Sequence, residues 1–141
     1  MNTKTNWEEL YVLAEHWKSD LLFYKDDLRF LHHLVDKYFI WITKAENLIM
    51  VKEIKADLLS LGKSCNDLLE KVGKHIIQIG YIIESPKRQD KRVLALEHQH
   101  LEQEITDFVK KFRMNRKEVF TITEYIMDSE AFYSIMEPQQ P

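Results

Sequence analysis

A seven-residue ruler laid from Trp7 meets an apolar or aromatic side chain at each step: Trp7, Ala14, Leu21, Leu28, Val35, Ile42. The slot three residues on reads Leu10, Trp17, Tyr24, Leu31, Tyr38. Strands alternate with period two, so this pattern predicts a helix with one continuous buried seam. It starts after "TNWEE", where Thr5 with Glu8, or Asn6 with Glu9, satisfies the spacing of a capping box. A second capping box in "TKAE", Thr43 to Glu46, marks the break before the next seam. That seam runs Val51, Leu58, Cys65, Val72, Ile79, with Ile54, Leu61, Leu68, His75, Ile82. It stops at "ESPKR", because Pro86 disfavours the helical region for Ser85 and suits the first turn of a following helix.

The third seam steps by four and three: Leu94, His98, Leu101, Ile105, Phe108, Phe112, Asn115, Val119, Ile122, Ile126. Its phase never slips, which predicts one helix. The alternative is a break near Asn115, with Asn115 and Glu118 capping a fourth helix. The sequence therefore predicts an all-α, antiparallel bundle of three long helices with coiled-coil-like seams. Each helix is expected to hold roughly 36 to 44 residues and to span about 55–65 Å, at about 1.5 Å rise per residue. Short connections make chain neighbours antiparallel. Residues 1–136 read as a single domain, and the tail 137–141, "EPQQP", as disordered.

The seams do not use up the apolar residues of the first helix. At about 100° per residue, Val12, Phe23, Phe30, Leu34 and Trp41 fall on another stripe, roughly 100° from the seam. His16 shares it, and Asp20 and Asp27 border it. A bundle helix touches two neighbours and tolerates a wide apolar arc, so wrapping by the terminal segments is one reading. The other is a surface for self-association, for which a twofold dimer is the commonest arrangement.

Composition narrows the class. The chain has 141 residues, 45% hydrophobic and 30% charged, with three glycines and three prolines. That scarcity of turn residues argues against a β-rich fold. One cysteine excludes an internal disulfide framework. Neither an apolar signal-peptide core nor a membrane-spanning run is present, so the reading is a cytoplasmic protein without membrane insertion. Net charge is −3, unevenly spread. Residues 86–117 hold nine basic and five acidic side chains, whereas residues 118–141 hold five acidic and none basic. Lys110, Lys111, Arg113, Arg116 and Lys117 form the one candidate nucleic-acid surface. It lacks interleaved exposed aromatics, and a solvated helix face is the simpler account.

No phosphate loop, dinucleotide fingerprint, nucleophile elbow or zinc-type cysteine pair occurs. Cys65 fills a core slot and reads as a small hydrophobe. Glu97 and His100 form a single E-x-x-H, where a di-iron bundle needs two. His32 and His33 are adjacent and project about 100° apart, so they do not chelate as a pair. His75, His98 and Asn115 are the polar residues in core slots. Counted back from the turn at Ser85–Pro86, the two histidines fall within about 3 Å axially, beside Ala14 to Trp17 of the first helix. Asn115 falls near Ala56–Asp57 and His32–His33. The structural reading is polar layers that fix register. The alternative is a metal layer of His75 and His98 with Glu97 or Asp20. The function expected from these observations is a non-enzymatic interaction or scaffold module that needs no cofactor. Its partner is a second copy or another helical protein. A small metal- or ligand-binding bundle is the alternative, and binding of nucleic acid or an anionic surface the weakest reading.

Overall fold

A computed structural model describes residues 5–41, 45–87 and 90–128. It consists of α1 (Trp7–Phe39), α2 (Ala45–Glu84) and α3 (Lys91–Met127), of 33, 40 and 37 residues, packed against one another. Helix accounts for 92% of the described residues, and none of them is in a strand. Among the described residues, no helix is long and apolar enough to cross a membrane.

The start of α1 and the end of α2 follow from local chemistry. Asn6 is the N-cap of α1, its side chain accepting from the Glu9 amide at 3.1 Å. Glu8 and Glu9 then place negative charge at the positive end of the helix dipole. The break expected at Thr43 lies largely outside the described residues, and α2 begins at Ala45. At the other end, the Ser85 amide still donates to Tyr81, and the chain leaves the helix before Pro86. Contrary to the sequence expectation, Pro86 is not in the first turn of α3. That helix starts at Lys91 with Asp90 as N-cap, so Pro86 belongs to the connection.

The four-helix alternative is corrected by α3, which is continuous through Asn115. Asn115 does not cap. Its side chain is turned into the core and donates to the Ile54 carbonyl at 3.4 Å. An uninterrupted apolar seam on both sides of it leaves no reason for the helix to break.

Cross-helix contacts give the topology directly. Asp36 meets Lys55 and Leu21 meets Cys65, so α1 and α2 run antiparallel. Ile54 meets Asn115, Lys71 meets Glu104 and His75 meets His98, so α2 and α3 do as well. Trp17 meets His98, Tyr24 meets Phe108 and Phe112, and Asp27 meets Arg116, which makes α1 and α3 parallel. The core is the three seams brought together. Ala14, Leu21 and Leu31 of α1, Cys65, Val72 and Ile79 of α2, and Val119 of α3 are all 0% exposed.

Candidate functional site

Of the four buried polar residues among the described ones, Thr123 stands apart, and His75, His98 and Asn115 form two layers. In the first, His75 of α2 and His98 of α3 are buried and joined by a 2.9 Å contact between His75 Nε2 and His98 Nδ1. Trp17 of α1 covers the far side, stacked on His98 at 4.4 Å between ring centroids. The axial count from the turn therefore placed the layer and its α1 neighbour correctly. The imidazole centroids are 5.1 Å apart, which is the N···N distance plus about one ring radius on each side. The two nitrogens thus point at each other, as in an N–H···N hydrogen bond, and not at a shared third point.

The third member is Glu97. Its Oε2 lies 3.8 Å from His75 Nδ1, a buried nitrogen with no hydrogen-bond partner among the described residues. A carboxylate on that side favours the tautomer in which Nδ1 carries the proton. His75 Nε2 is then the acceptor and His98 Nδ1–H the donor. Burial depresses the basicity of His75, and burial together with the neighbouring His75 depresses that of His98. Asp20, the other carboxylate considered for a metal layer, is exposed on α1. Among the described residues no group of three or more His, Cys, Asp or Glu side chains is placed to share an ion.

Asn115 forms the second layer. The amide nitrogen donates to the Ile54 carbonyl, while Oδ1 is buried with no hydrogen-bond partner among the described residues. Near it, Arg116 donates to Asp27 at 3.0 Å and its guanidinium lies 4.7 Å over the Phe120 ring. Arg116 is thus paired within the chain, with 47% of its side chain still exposed. Lys110, Lys111, Arg113 and Lys117 remain exposed. Lys111 shares a groove with Asp67, Glu104 and Asp107, and Lys117 shares one with Glu53, Asp57 and Glu118.

No protein-family model matches this chain, nor does any curated protein or solved structure. Function must be read from the side chains themselves.

The aromatic stripe of α1 is split by the fold. Phe23, Val12 and Phe30 stand 65%, 54% and 50% exposed. Leu34 and Trp41 are half-buried and pack against the core. His16 is exposed beside the first three. Sequence reasoning missed two features. One is the Arg116–Asp27–Phe120 contact, for which the border position of Asp27 was the available signal. The other is the set of cations that α1 and α2 gather on their shared outer surface, which no single-helix ruler reveals.

Proposed function

We propose that this chain is a non-enzymatic helical module that self-associates through α1 and presents its other flanks to helical partners. The observation that carries this reading is the exposure of Phe23 and Phe30, two turns apart on a helix whose core-facing seam is already filled. Each ring left in water forgoes a burial worth about 1.5–3 kcal/mol. A twofold pairing of α1 with α1 covers both rings on both copies at once, since the same patch faces itself. Sedimentation equilibrium at micromolar concentration tests it. A dimer in the native chain supports the reading, and a monomer over the accessible concentration range refutes it.

One observation favours a second reading, a small metal- or ligand-binding bundle. His75 Nδ1 and Glu97 Oε2 are 3.8 Å apart, and His75 Nδ1 has no hydrogen-bond partner among the described residues. That spacing is wide for a hydrogen bond. It lies within the span of two ligands each about 2 Å from one zinc ion. Elemental analysis of the purified chain separates the readings. About one metal per chain, lost in His75→Leu, would replace the structural role of the layer by a binding one.

A further inference from the structure

A cleft of about 550 Å³ lies between α1 and α2 on the outer surface of the bundle. Lys25, Arg29, His32 and His33 of α1 and Lys63 of α2 line it. Its floor is apolar, formed by Leu28, Leu58, Leu59 and Gly62. Leu28 and Leu58 belong to the core, but Leu59 is 60% exposed. A Cβ built on Gly62 would meet nothing within 4 Å, so the absence of a side chain there keeps the trough open.

Charge distinguishes this cleft from the grooves between α2 and α3; a patch on α3 with Arg113, Arg116, Lys117 and Glu124 is also cationic, but its Arg116 is paired with Asp27. Between α2 and α3, Lys71 and Lys111 are balanced by Asp67, Glu104 and Asp107. In the α1–α2 cleft the lining carboxylate is Asp36, and it is engaged by Lys55 at 2.7 Å. Arg29 reaches Asp26 at 3.9 Å, both being more than 70% exposed, a contact that water screens heavily. Lys25 and Lys63 have no ion-pair partner among the described residues. Two ammonium groups and a guanidinium therefore face one trough with an excess of positive charge, beside two imidazoles, of which His32 lies 3.7 Å from Asp36. The whole chain, by contrast, carries a net −3.

The shape of the trough decides what kind of anion fits. Lys25 to Asp36 covers about 16 Å of α1, and Leu58 to Asn66 about 12 Å of α2, at about 1.5 Å per residue. The cleft is an open channel two to three helical turns long. Small-molecule sites enclose most of their ligand, and this one does not. A groove between two helices with an apolar floor and charged rims suits a third helix laid along it.

We infer that the α1–α2 cleft is a docking groove for an acidic amphipathic helix of a partner protein. Leucine-like side chains of the partner rest on Leu59 and over Gly62, and its carboxylates face Lys25, Arg29 and Lys63. The groove is separate from the self-association surface. Phe23 and Lys25 project about 200° apart around α1, so both flanks can be occupied together.

The test uses the full chain and two fluorescein-labelled synthetic helical peptides of three turns. One carries glutamates flanking a leucine stripe, and the other has lysines in place of the glutamates. Fluorescence anisotropy is expected to show saturable binding of the acidic peptide alone, weakening as salt rises. Lys25→Glu with Lys63→Glu should weaken it at least about tenfold, since attraction is replaced by like-charge repulsion. Gly62→Leu, an exposed-side change that fills the trough and favours the helix, should weaken it at least about fivefold without loss of folding. Phe23→Ser with Phe30→Ser should leave peptide affinity within about twofold, because that stripe faces elsewhere. Equal binding of both peptides, or an acidic-peptide affinity unchanged in both cleft variants, would overturn the inference. Complete displacement by millimolar inorganic phosphate would also overturn it, by showing a small-anion site. Monomeric wild type that still binds the acidic peptide would sink the self-association reading and leave this one standing.

Discussion

The His75–His98 pair makes the chain sensitive to pH through one shared proton. In the neutral pair, one imidazole N–H donates to the other ring across 2.9 Å. Protonating the acceptor, His75 Nε2, would place two donors face to face and a charge in the buried core. Burial lowers both basicities from the ordinary value of 6.5. Near and below that value the unfolded chain binds more protons than the folded one. The stabilising contribution is therefore complete above pH 6.5 and declines as pH falls from there. Urea titrations at pH 8, 7, 6 and 5 should show this loss, and the double change His75→Leu, His98→Leu should flatten it. A slope unchanged in the double variant would assign the acid sensitivity to other groups. Cys65 is a simpler case. Its thiol is 0% exposed and donates to the Leu21 carbonyl at 3.3 Å, and burial pushes its ionisation upward. An aromatic disulfide reagent should leave it unmodified in the native chain and titrate one thiol per chain in guanidinium. Rapid native labelling would mean that the α1–α2 seam opens readily.

At the scale of elements, the seams were legible because burial in a three-helix bundle is decided by one stripe per helix. A seven-residue ruler reads that stripe from the sequence alone. The register of α2 against α3 was legible for a related reason. A short turn fixes the axial offset of two antiparallel helices, so equal counts from Pro86 place His75 against His98. Termini were less legible: Pro86 fits either the end of one helix or the start of the next, and only the path of the chain decides. Contacts made by borders of seams, such as Arg116 with Asp27, depend on the rotation of α3 against α1, which a periodicity does not contain. The same holds for the cation-lined cleft, built from two helices whose individual charge patterns look like solvated faces. Asn115 shows what a polar layer costs an element pair. Its Oδ1 is buried without a hydrogen-bond partner among the described residues, and an acceptor so placed costs about 1–3 kcal/mol. Ile54 keeps its place in the α2 ladder without the Asn115 amide. Asn115→Leu should therefore stabilise the fold by about 1–2 kcal/mol, read as a higher urea midpoint at constant slope. Destabilisation of that size would show that the amide holds the α2–α3 pair together.

The described residues form a narrow rod with a filled three-seam core, and α1 carries an exposed aromatic flank and a cationic one. A thin bundle gains from doubling, because pairing converts exposed rings into a shared interior without altering the fold of either copy. Leu34 and Trp41 pack against the core of their own chain, so the proposed self-association surface centres on Phe23 and Phe30, with Val12 at its edge. The measurement that bears most directly on this account is sedimentation equilibrium of the wild type beside Phe23→Ser/Phe30→Ser, with the helicity of both recorded by circular dichroism. The account predicts a wild-type dimer, and a double variant that is monomeric with its helical signal intact. A monomeric wild type, or a double variant that loses its helicity, would contradict it by showing that the two rings serve the fold of a single chain.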